Sequence, residues 1–96
     1  MALLYAHHKV EDYAKWRKVF DEVDGLRRSM GQISMRVYHT STSPNEIVSL
    51  SEWGSVDQAR AFIQTPDLKA ALQKAGVITQ PDFLILEEAK ELVSNQ

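Results

Sequence analysis

The chain has 96 residues, with 11 Lys and Arg against 13 Asp and Glu and a formal net charge of −2. That balance leaves no basic footprint for nucleic acid or an anionic membrane surface, and the absence of cysteine excludes disulfides, thiol catalysis and Cys-ligated zinc. The length accommodates one core, so the expectation is a single domain over residues 1–90 and a polar tail over 91–96, cytoplasmic, without signal peptide or membrane span.

Residues 2–10 alternate: Leu4, Ala6, His8 and Val10 fall on one face, and Leu3, Tyr5, His7 and Lys9 on the other, which predicts the first strand. Asp12 then stands at an N-cap position. Tyr13, Trp16, Phe20 and Val23 recur at steps of three and four, predicting a helix that stops near Gly25 or Gly31. Arg27 and Arg28 read as a solvated pair favouring the helix C-terminus.

A second alternation sets Ile33, Met35, Val37 and His39 against Ser34, Arg36, Tyr38 and Thr40. The run Ser41-Thr42-Ser43-Pro44-Asn45 predicts a turn, followed by a third strand from Ile47 to Trp53. Ser55 and Gln58 form a capping-box pattern ahead of Val56, Ala59, Phe62 and Ile63, so the second helix starts near Val56. Thr65 and Pro66 restart it at N-cap and N1, and Leu68, Ala71, Leu72 and Ala75 carry an apolar face to Gly76. Past Pro81, Phe83–Leu86 reads as the last strand; the residues from 89 onward read as tail, helical at its start.

This order predicts an α+β, ferredoxin-like βαββαβ fold: a four-stranded antiparallel sheet with both helices on one face. One helical layer covers one sheet face, yet most strands carry apolar or aromatic residues on both, so the second face calls for another copy of the chain. Leu4, Ala6, Met35, Val37, Val48 and Leu50 are assigned to the helix-covered face. Tyr5, His7, Lys9, Arg36, Tyr38, Ser49 and Ser51 are assigned to the face left for a second subunit.

In this topology the first two strands run the same way with the third between them, which brings His8 and His39 to one end of the sheet. They are the candidate catalytic residues, because an imidazole titrates near neutrality and suits proton transfer. Tyr13, Trp16, Arg17, Met35, Phe62 and Leu72 are the candidate substrate-binding residues. Each histidine and aromatic also has a plain packing role to fill. Glu52 lies at the far end of the antiparallel third strand, and His7 and His8 point to opposite faces. No metal site and no cofactor are therefore assigned.

His8 with Val10-Glu11-Asp12-Tyr13 and Trp16, the Ser43-Pro44-Asn45 turn, Ser51-Glu52-Trp53, Ala59 with Phe62, Thr65-Pro66 with Leu68, and Gly76-Val77 together resemble the dimeric α/β-barrel superfamily. Within it they resemble the small proteins related to antibiotic-biosynthesis monooxygenases, over roughly residues 3–88. The resemblance implies two subunits that press their sheets together into a barrel. It also implies membership of a group that includes cofactor-independent monooxygenases, haem-handling enzymes, polyketide cyclases and isomerases. The chain lacks a complete set of the Asn, Trp and His positions that mark the oxygen-activating members. Two functions follow as expectations: a homodimeric enzyme acting on a small aromatic or polyketide-like molecule by histidine-assisted proton transfer, or a non-catalytic dimer binding a small apolar ligand. An RNA-binding role of the same topology is set aside, because Ile47–Trp53 lacks the basic and aromatic pattern that stacks on bases.

Overall fold

The computed structural model describes residues 2–89, so the tail expected at 91–96 lies outside it. Eight elements follow in order: β1 (Ala2–Lys9), α1 (Tyr13–Glu22), α2 (Asp24–Ser29), β2 (Gln32–Thr40), β3 (Ser43–Trp53), α3 (Val56–Ile63), α4 (Pro66–Lys74) and β4 (Asp82–Glu87). The strands form one antiparallel sheet in the order β2-β3-β1-β4, the ferredoxin-like arrangement, with β1 and β3 central.

The helix boundaries follow local chemistry. Asp12 Oδ2 accepts from the Lys15 amide, Ser55 Oγ from the Gln58 amide and Thr65 Oγ1 from the Leu68 amide, so α1, α3 and α4 each begin on a side-chain cap. The first predicted helix divides into two at Val23. Gly25 lies inside α2, and Gly31, at φ +120°, takes the chain out of α2 into β2 with a backbone that side-chain-bearing residues rarely adopt.

The hairpin turn is shorter than expected. β3 already starts at Ser43, which pairs with Thr40, leaving Ser41 and Thr42 as the turn. Pro44 is tolerated in this central strand because β1 pairs with β3 only as far as Lys9 and Glu46. Asn45 then ties the strand to α1: its carbonyl accepts from the Val10 amide and its side-chain oxygen from the Tyr13 amide, each within 2.9 Å.

Two assignments of faces are corrected. In β3, Ser49 and Ser51 lie on the helix-covered face, and Val48 and Leu50 lie on the open one. The register requires this, since Ser51 stands between Leu4 and Met35 and Ser49 between Ala6 and Val37, while Leu50 pairs with Tyr5 and Val48 with His7. Ile47 and Trp53, both fully buried, hold the odd-numbered positions of β3 inward and carry the two serines with them. The burial of Ser51 is compensated: it accepts from Trp53 Nε1 at 2.8 Å and donates to the Leu4 carbonyl at 3.4 Å. In β2, a register shift between Gln32 and Ser34 leaves Ile33 outside the ladder and 63% exposed, while Gln32 turns inward.

The core consists of two clusters beneath the helices. One gathers Val10, Trp16, Val19, Ile47 and Ala75; the other gathers Leu4, Trp53, Ala59 and Phe62. No helix among the described residues is long and apolar enough to cross a membrane.

Candidate functional site

A cleft of about 70 Å³ lies between the sheet and the helices. Its floor is built by Leu4, Ala6 and His8 of β1, Met35 of β2 and Ser49, Ser51 and Trp53 of β3. Trp16, Val19 and Phe20 of α1, Phe62 of α3 and Leu68, Ala71 and Leu72 of α4 form walls around it. The volume is below the roughly 150 Å³ of a cavity that binds benzene, so a ring enters only if a wall yields. Among the walls, α4 is the helix that contains no buried residue.

His8 is the unusual group in this lining. It is 7% exposed, and neither Nδ1 nor Nε2 has a hydrogen-bond partner among the described residues. Its ring lies 5.9 Å from that of Trp16, inclined at 56°. Burial, reinforced by the neighbouring His7, pushes its pKa from 6.5 down to about 4, so it is neutral at neutral pH. A neutral imidazole presents one donor and one acceptor, and here both are unused. Leaving buried polar groups unpaired costs roughly 1–3 kcal/mol each, which a ligand able to bond them would recover.

Of the residues expected from sequence, the structure brings His8, Trp16, Met35, Phe62 and Leu72 together around the cleft. His39, Tyr13 and Arg17 stand outside it. His39 does share a sheet row with His8, both paired with Ile47, but it is on the edge strand β2 and exposed, with Nδ1 2.9 Å from the Thr40 carbonyl oxygen. Tyr13 lies between Trp16 and His39, at ring separations of 5.8 and 6.5 Å. Arg17, exposed, donates to the Tyr13 hydroxyl and to Asp21.

Arg27 corrects the reading of a solvated pair. Arg28 is exposed, but Arg27 is 4% exposed and borders the cleft. Its Nε donates to Gln32 Oε1 and its Nη2 to the Phe20 carbonyl, each at 3.0 Å, and its Cζ sits 3.8 Å above the centre of the Phe20 ring. The signal was present in the chain: Tyr13, Trp16, Phe20 and Val23 continue to position 27 at the next step of four.

The fold is that of a small α+β domain with an apolar cleft between sheet and helices and, among the described residues, a histidine without a hydrogen-bond partner in the cleft floor. The chain belongs to the antibiotic biosynthesis monooxygenase family, whose model matches residues 2–74. No functionally curated protein matches it in sequence. Among solved structures it is similar to SnoaB, a cofactor-independent oxygenase from Streptomyces nogalater, at 13% identity over 97% of each chain with a TM-score of 0.77. It is also similar to Rv0793 from Mycobacterium tuberculosis, at 14% identity over 96% of this chain and 98% of that one with a TM-score of 0.71. A further antibiotic biosynthesis monooxygenase aligns at 12% identity over 94% of this chain and all of its own, with a TM-score of 0.72. At these identities the likeness is one of fold.

Proposed function

We propose that the protein is a homodimer whose cleft binds a small aromatic or polyketide-like molecule, and that His8 takes a proton from it. The observation that carries this reading is the buried imidazole of His8, neutral and without a hydrogen-bond partner among the described residues, in a cleft lined mainly by rings and aliphatic side chains. The lowered pKa keeps the imidazole unprotonated and able to accept a proton, and a developing anion beside it, such as that of an anthrone or a hydroxyquinone, would raise its basicity by pairing with the imidazolium. Family membership favours oxygenation as the outcome. Loss of a proton from an anthrone-type CH2 leaves a carbanion that O2 oxidises; the carbon becomes a carbonyl, and the second oxygen atom leaves as water.

Dimerisation rests on the open face of the sheet. Leu3, Tyr38, Leu84 and Leu86 are large apolar groups of that face, 37%, 47%, 56% and 38% exposed, with Tyr5, Val48 and Leu50 between them. Such a contiguous apolar surface marks an interaction site, and a second copy of the same sheet matches it in size and chemistry.

The alternative of a non-catalytic binder is favoured by one observation: His39 stands outside the cleft, which leaves His8 as its single histidine. Oxygen uptake with 1,8-dihydroxyanthrone separates the two. The enzyme consumes O2 and forms the anthraquinone, His8→Ala abolishes this and His39→Ala does not. Thermal stabilisation by the anthrone without O2 uptake selects the binder. Neither uptake nor stabilisation would rule out both.

A further inference from the structure

Arg27 places a cation at the cleft that the protein itself only partly neutralises. The nearest carboxylate, Asp24, is 3.6 Å from Arg27 Nη2 but 2.9 Å from Arg28 Nε, and it is 39% exposed. Nε and Nη2 have acceptors in Gln32 and Phe20, whereas Nη1 has none among the described residues. Nη1 is not among the buried side-chain atoms that lack a partner, so this edge of the guanidinium is open to its surroundings, and a planar guanidinium with a free edge suits an anionic oxygen.

Its position relative to His8 is set by the sheet. Arg27 is anchored to Gln32, which pairs with Trp53, which pairs with Ala2, while His8 lies six residues further along β1, toward the other end of the cleft. An aromatic wall spans the interval. Arg27 lies on Phe20, Phe20 stacks on Trp16 at 4.7 Å, and Trp16 faces His8 at 5.9 Å. The cleft thus has a cation at one end, a neutral imidazole at the other and rings between.

We propose that Arg27 is the specificity-determining residue of this cleft and selects planar aromatic ligands that carry a carboxylate at the end remote from His8. The proposal rests on the ligand-binding reading above and narrows its substrate class to aromatic or polyketide-like ring systems that carry a hydroxyl or acidic C–H and a carboxylate. The hydroxyl or acidic C–H meets His8, and the carboxylate meets the free edge of Arg27.

The test is calorimetric titration of the whole chain with 6-hydroxy-2-naphthoate and with the neutral 6-hydroxy-2-naphthamide, which share ring, hydroxyl and shape. The acid is expected to bind at least about tenfold more tightly, the order of one charge-assisted hydrogen bond. Arg27→Met brings the ratio of the two affinities to about one, whatever their absolute values; Arg27→Lys, which keeps the charge, retains part of the preference; His8→Gln weakens acid and amide alike. Equal affinities of the unaltered protein for the two ligands overturn the role of Arg27 without any variant having to fold. A preference that persists in Arg27→Met overturns it too. If neither ligand binds, the pocket reading itself fails, and the proposal fails with it.

Discussion

His8 and His39 stand in one row of the sheet, each paired with Ile47 from opposite sides, yet only His8 reaches the cleft. The difference is one of cover: β1 is central and lies under Trp16, whereas β2 is an edge strand and leaves His39 to solvent.

From this follows a dependence of stability on pH. His8 titrates near 6.5 when unfolded and at about 4 when folded, so the unfolded chain takes up the proton first as pH falls. The contribution to stability is fully present above pH 6.5 and is lost between about 6.5 and 4, up to about 3 kcal/mol at 1.36 kcal/mol per pH unit. Urea denaturation at pH 7.5, 5.5 and 4.5 is expected to show a shallower acid loss in His8→Gln than in the unaltered chain. Parallel profiles would mean that His8 titrates normally in the fold.

The two adjacent arginines are expected to differ sharply. Arg27→Ala removes two hydrogen bonds and the contact with the Phe20 ring, and is expected to cost about 2–3 kcal/mol. Arg28→Ala removes an exposed ion pair to Asp24 and costs less than about 1 kcal/mol. Chemical denaturation midpoints read the contrast directly.

Two glycines form a second pair. Gly31→Ala forces a side chain into φ +120° and against the Gln58 side chain, and should destabilise by more than about 1 kcal/mol. Gly25→Ala sits inside α2 with open space around it, and should stabilise by roughly 0.5–1 kcal/mol. Thermal unfolding of both variants under one set of conditions reveals the opposite signs.

Leu84 projects from the open face at 56% exposure. Sedimentation equilibrium is expected to give about 22 kDa for the unaltered protein, twice the 10.9 kDa chain. Leu84→Asp is expected to give the mass of one chain with unchanged far-ultraviolet circular dichroism. A monomeric unaltered protein at micromolar concentration would refute the second-copy reading.

Because α4 lines the cleft through Leu68, Ala71 and Leu72 but contains no fully buried residue, it is the element expected to open for a ligand. Amide exchange should be faster in Pro66–Lys74 than in β1 and β3, and a bound ring should slow it there more than elsewhere. Ligand protection confined to β2 would place the entry route on the other side.

Much of the fold was legible because it is written in local rules. The alternation over residues 2–10, the caps at Asp12, Ser55 and Thr65 and the stripe from Tyr13 to Val23 each act within one or two turns of chain, and each element formed where those signals stood. The cleft was legible where a stripe or an alternation already pointed inward, as at His8, Trp16, Met35, Phe62 and Leu72. Arg27 was overlooked because charge near a helix end suggests solvent, and only its step from Val23 argued otherwise.

The sequence by itself determined the order of strands and helices, the antiparallel topology and the family, since periodicity, capping and turn chemistry are properties of neighbouring residues. The tertiary structure alone decided which face of β3 turned inward, because parity divides a strand into two sets without saying which is buried. Ile47 and Trp53 settled that choice, carrying Ser49 and Ser51 under the helices and leaving Val48 and Leu50 on the open sheet. It also decided that His8 is enclosed, His39 exposed and Arg27 buried. Burial depends on what the rest of the chain lays over a residue, which a local stripe or alternation points toward but does not decide.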